Sequence, residues 1–101
     1  MNDTVSRTEE MILKAGATAP RVTPERLEEV INSEQYHVFR DSTLTVCVLT
    51  LENGYTVTGE SACVDPSNFN VDIGRKIARE NAKNKIWQLE GYLLRQRLYE
   101  Q

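Results

Sequence analysis

Apolar positions along the chain change period several times, and each change marks an element. Residues 1–22 are polar apart from Met11-Ile12-Leu13, and Gly16 and Pro20 break any longer pattern. This reads as an N-terminal arm with one helical segment around 5–14. Thr23-Pro24-Glu25-Arg26 then carries a helix start: a hydroxyl that can cap the first amides, a proline suited to the first helical position, and an acid at the positive end of the dipole. Leu27, Val30 and Ile31 recur at helical spacing, so a short helix is expected over about 24–33.

Residues 36–63 read as strands. Leu44 to Leu51 is β-branched and apolar without glycine or proline. Asn53-Gly54 follows, the pair that suits a two-residue hairpin turn with positive φ at both positions. That turn pairs Leu51 with Thr56, Thr50 with Val57 and Val48 with Gly59. It puts Cys47 and Cys63 on opposite faces, so both are expected as reduced, buried thiols rather than a bridge. The first strand is apolar on both faces and is expected to be covered on both. Gly59 predicts a bulge or the close approach of another backbone. His37 falls on the strand Tyr36-His37-Val38-Phe39 and reads as structural.

After the turn-rich segment 65–70, no proline interrupts Val71 to Tyr99. Asn70 can cap this helix and Asp72 suits its first turn. Twenty-nine helical residues would span about 43 Å, more than the roughly 34 Å across a domain of this size. The helix must overhang or bend, and Gly91 is the expected place to bend. At 100° per residue, Ile73, Ile77, Trp87, Leu94 and Leu98 share one sector. Ala78, Ala82, Ile86, Leu89 and Leu93 share the opposite one. One stripe can dock on the sheet. The alanine stripe would admit another helix, which predicts a homodimer or higher homo-oligomer through the C-terminal helix. The competing reading covers that stripe with helix 24–33 and the arm. The expected architecture is α+β: residues 1–22 as a flexible or partly helical arm, and 23–101 as one domain with a short N-terminal helix, a small antiparallel sheet with an Asn-Gly hairpin, and a long C-terminal helix.

Composition excludes more than it identifies. With 40% hydrophobic and 27% charged residues the chain is ordinary globular material, with no apolar run long enough to span a membrane. Met1-Asn2-Asp3-Thr4 carries no basic segment and no apolar stretch, so no signal peptide is expected. The expected location is a reducing cytoplasm. There is no CxxC and only one histidine, so no metal and no cofactor are expected, and no nucleophile–base pattern argues for an enzyme.

Charge is divided along the chain. Residues 1–70 hold five basic and eleven acidic side chains, a balance of −6; residues 71–101 hold seven basic and four acidic, a balance of +3. A basic C-terminal third could meet phosphates, or could pair with the acidic remainder. For a phosphorylated ligand, Phe69 offers a flat face, Asn68, Asn70 and Asn81 offer amides, and Arg75, Arg79, Arg95 and Arg97 offer fork donors. The helix start near Asn70 offers backbone amides. Each has a structural alternative; an aromatic at the place of Phe69 is more often a staple under the helix start than a base platform. The acidic remainder argues against nucleic acid as the partner.

Three stretches carry a family resemblance: Asn53-Gly54-Tyr55-Thr56-Val57-Thr58-Gly59-Glu60-Ser61-Ala62-Cys63; Asn68-Phe69 with Ile73-Gly74-Arg75-Lys76-Ile77-Ala78-Arg79-Glu80-Asn81-Ala82; and Ile86-Trp87 through Leu89-Glu90-Gly91-Tyr92-Leu93-Leu94. With Ala19-Pro20-Arg21-Val22-Thr23-Pro24 upstream, they resemble a family of small tailed-phage proteins of unknown function over roughly residues 10–98. The family is similar to the Thoeris anti-defence sponges, which bind cyclic ADP-ribose isomers or cyclic oligonucleotides at subunit interfaces without cleaving them. The resemblance implies an aromatic, an amide and arginines around such a ligand: Phe69, Asn81 and one of Arg79, Arg95 or Arg97. Asn70 stands where family members often have an acidic cap. The competing expectation is a protein–protein interaction module that binds a host factor.

Overall fold

The computed structural model describes residues 3–16 and 19–101, and the rest of the 1–22 arm lies outside them. The element order is α1 (Asp3–Lys14), α2 (Pro24–Val30), β1 (Ile31–Val38), β2 (Thr45–Leu51), β3 (Thr56–Ser61), a single 3-10 turn at Pro66–Asn68, α3 (Val71–Asn84) and α4 (Ile86–Tyr99). The three strands form an antiparallel sheet in the order β1-β2-β3. This is the α+β architecture the pattern predicts.

Thr23 caps α2 through its hydroxyl, which accepts from the Arg26 amide at 3.2 Å, and Pro24 takes the first turn. The helix ends at Val30, three residues before the expected end. Ile31 keeps helical spacing in the sequence but pairs with Leu51 instead, and a bulge between Ile31 and Ser33 sets the rest of β1 in register. The strand therefore begins directly at the helix end, and the Glu52 amide donates to the Val30 carbonyl at 2.8 Å.

The β2–β3 hairpin departs from the expected register by one residue. Thr50 pairs with Thr56, Val48 with Thr58 and Cys47 with Gly59. The loop is three residues, Glu52-Asn53-Gly54, and only Gly54 has positive φ, at 90°. Asn53 instead turns its side-chain oxygen to accept the Tyr55 amide at 3.0 Å, which holds the longer loop. The shift corrects two expectations. Gly59 faces Cys47 rather than Val48, and Cys63 lies beyond the end of β3 at Ser61 instead of on the sheet. Both thiols are free, Cys47 buried and Cys63 half-buried.

Gly59 is a close approach of backbones. A Cβ there would lie 2.2 Å from the Ala82 nitrogen and 2.3 Å from the Ala78 carbonyl oxygen. Ala78, Ala82 and Ile86 are fully buried with Leu27, Val30, Cys47, Leu49, Leu51 and Val57. The alanine stripe is thus taken by the chain's own sheet, not left for another helix. Complete burial of a side chain such as Leu27, Leu49 or Ile86 stabilises by about 1.5–3 kcal/mol. The other stripe is divided: Ile73 and Ile77 are exposed, whereas Trp87 packs against the core.

On the outer sheet face Val46 and Val48 are only half-buried. Their cross-strand neighbours there are His37 and Gln35 on one side and Glu60 and Thr58 on the other, so polar side chains flank them in place of the expected second layer.

The C-terminal helix is interrupted at Lys85, not Gly91. The Lys85 amide bonds three residues back, to the Ala82 carbonyl at 3.1 Å, and the helix restarts at Ile86. Before the break α3 packs on β2 and β3, and after it α4 meets α2. Gly91 stays helical with open space around it.

Candidate functional site

A cleft of about 520 Å³ lies between α4, α2 and the hairpin end. Val30, Leu51, Leu89 and Leu93 supply apolar wall, and Tyr55 and Tyr92 supply aromatic surface. Arg26, Glu52, Glu90 and Arg97 also line it, two cations and two anions that cancel.

Arg26 organises the charged wall. Its Nε donates to Glu90 Oε1 at 3.0 Å and one terminal nitrogen donates to Glu52 Oε1 at 2.9 Å. Its other terminal nitrogen lies 3.7 Å from Glu29. The hydrogen bond to Glu90 raises the guanidinium pKa above its ordinary value; burial opposes it, and the bond to Glu52 adds a smaller upward push. Glu90 is 7% exposed, a carboxylate nearly removed from water. Such a group is tolerable only with a charged donor beside it. Its Oε2 has no hydrogen-bond partner among the described residues, while the residue itself faces the cleft. Apolar walls, a few convergent polar groups and this volume are those of a small-molecule site.

The residues expected to bind phosphate fall on several surfaces. Arg79 and Lys83 are clasped by acids. Arg79 donates twice to Glu28, at 3.0 and 3.1 Å, and once to Glu34 at 3.0 Å; Lys83 reaches Glu28 at 2.7 Å. These contacts drop the Glu28 carboxyl to about 2 and raise the Arg79 guanidinium further, chiefly through their mutual hydrogen bonds. Tyr36 donates its hydroxyl to Glu34, and burial first, then this bond, raises its pKa. Arg75 lies over the Tyr36 ring, 5.3 Å from its centroid. For Arg79 and Lys83, pairing to the acidic part of the chain describes what the structure holds.

Asn70 caps α3, its side-chain oxygen accepting the Ile73 amide at 3.1 Å. Phe69 lies beside Gly74 at that helix start, where a Cβ on Gly74 would come within 4.0 Å of the ring. Phe69 also lines a second, more open cleft with Leu44, Ala62, Cys63 and Pro66. Asn68 is exposed, its carbonyl 3.8 Å from the Cys63 sulfur. Asn81 donates to the Glu60 carbonyl at 2.8 Å, on the edge strand β3. Arg95 is exposed and lines neither cleft, and Arg97 alone of this set enters the α2–α4 cleft.

Sequence reasoning missed Arg26, Glu52 and Glu90. One signal pointed to them. Glu90 stands four residues after Ile86 and three before Leu93, an acid inside an apolar helical stripe. Such a residue needs a cation from elsewhere in the chain, and Arg26 is that cation.

A family model described as the phage protein (N4 Gp49/phage Sf6 gene 66) family matches residues 22–98. No curated protein and no solved structure matches the chain.

Proposed function

The chain belongs to the phage protein family of N4 Gp49 and phage Sf6 gene 66, and for this member we propose a non-catalytic binding role in the host cytoplasm. It sequesters a cyclic nucleotide signal, a cyclic ADP-ribose isomer or a cyclic oligonucleotide, and so counters bacterial anti-phage defence. The observation that carries this reading is the α2–α4 cleft. Its volume of about 520 Å³ suits a nucleotide-sized ligand, two tyrosines offer faces for a base, and Arg97 offers a fork donor for phosphate. The motif resemblance to signal sponges points the same way. Titrating a signal needs affinity and abundance, not turnover.

Self-association belongs to the same proposal. The exposed Val71, Ile73 and Ile77 on α3 and Tyr92, Leu93 and Tyr99 on α4 are apolar positions that a second copy would cover. Thermal-shift and calorimetric titration of the purified protein with cyclic ADP-ribose isomers and cyclic di- and trinucleotides test the binding role. A saturable stabilisation, with intact ligand recovered on heating, is expected. No response to any of them would overturn it. Size-exclusion with light scattering tests the oligomer, and a strict monomer would remove it.

A second reading is favoured by Tyr55, Tyr92 and Tyr99, which are 57%, 71% and 73% exposed. Exposed tyrosines are enriched where proteins dock. On this reading the same surface binds a host protein, and nucleotides produce no heat.

A further inference from the structure

We infer that the α2–α4 cleft reads a guanine base through Glu90. This rests on the nucleotide-binding role proposed above and names the class of nucleotide. A buried carboxylate has acceptors only, and Arg26 engages one oxygen of Glu90 and one of Glu52. The remaining oxygens, Oε2 of each, have no partner among the described residues. Both residues line the cleft, and Glu90 is more than nine-tenths buried. The cleft therefore presents acceptors that its own chain leaves unmatched, with the donor Arg26 already committed to their other oxygens.

Complementarity then selects the base. Guanine carries two neighbouring donors on one edge, the ring N1–H and the exocyclic 2-amino group. Adenine's corresponding edge places an acceptor beside its amino group, which a carboxylate repels. Hypoxanthine keeps the ring N–H but lacks the 2-amino group. Tyr55 and Tyr92 give the purine apolar contact, and Arg97 stands at the same cleft for the phosphate. Arg26 holds both carboxylates in place, so the acceptor wall is preformed before ligand arrives.

Calorimetry with cyclic di-GMP, cyclic di-IMP and cyclic di-AMP on the wild-type protein tests this without any substitution. Cyclic di-GMP should bind tightest, by about tenfold over cyclic di-IMP and more over cyclic di-AMP, since each hydrogen bond to a charged acceptor is worth roughly that factor. Glu90→Gln should erase the preference, because the amide keeps a single acceptor, which Arg26 takes, and turns a donor toward the base. Equal affinity for the three, or binding of cyclic ADP-ribose isomers alone, would overturn the guanine reading and leave the sequestering role standing. If none of these nucleotides binds, both fall.

Discussion

Gly59 and Ala82 sit closer than any side chain allows: a Cβ on Gly59 would lie 2.2 Å from the Ala82 nitrogen and 2.8 Å from its Cα. The helix α3 rests directly on the backbone of β3, and the atoms in the way are main chain, which cannot step aside. Gly59→Ala should therefore push α3 off the sheet. A loss of at least about 1–3 kcal/mol in urea unfolding is expected, the range for overpacked cores.

Gly91→Ala should do the opposite. Gly91 is helical, and its Cβ would meet nothing within 4 Å. The substitution should raise stability by about 0.5–1 kcal/mol through helix propensity alone. Thermal unfolding of the two glycine variants side by side checks the contrast.

Acid should weaken the clasp on Glu28. Its carboxyl falls from an ordinary value of 4.5 to about 2 in the folded chain, mainly through its hydrogen bonds to Arg79 and Lys83. The unfolded chain then binds the proton first as pH falls. The contribution is full above about pH 4.5, declines below it, and is gone beneath about pH 2. Glu28→Gln should flatten the stability profile over that window, by a modest amount because Glu28 is partly solvent-exposed. Urea midpoints from pH 2 to 6 measure it.

Arg26→Ala should leave Glu90 nearly buried without its cation. A loss of about 1–3 kcal/mol is expected, and Arg26→Ala with Glu90→Gln should recover part of it, because the neutral amide no longer needs a counter-charge. A double-mutant cycle in chemical denaturation gives the coupling.

Thr45→Val should hold or raise stability. The Thr45 hydroxyl oxygen is fully buried without a protein partner among the described residues, and Gly74 packs against it. Valine keeps the shape and removes the polar atom, which should be worth up to about 1 kcal/mol. Scanning calorimetry reads the change.

Much of this fold is legible in the residues because local chemistry decides it. Thr23-Pro24, Asn70 and the β-branched run 45–51 each fix their own element. The cleft is not legible in the same way. Arg26, Glu52 and Glu90 lie 26 and 38 residues apart, and only tertiary packing brings them to one guanidinium. The alanine stripe shows the same limit: its spacing admits any close neighbour, and Gly59 rather than a second helix fills that place. Arg79 carried the phosphate chemistry a ligand site would want, but Glu28 and Glu34 satisfy it within the chain.

The three-residue loop at 52–54 has a consequence beyond its own turn. Because the ladder closes on Leu51 and Tyr55, the only position on β3 without a side chain arrives beneath Ala78 and Ala82. Closing it instead on Glu52 and Tyr55 would present Thr58 and Glu60 on that face, and the rod above could not settle. Descendants of this chain can vary what stands in the loop, but the pair that closes it is bound to the seat of the helix.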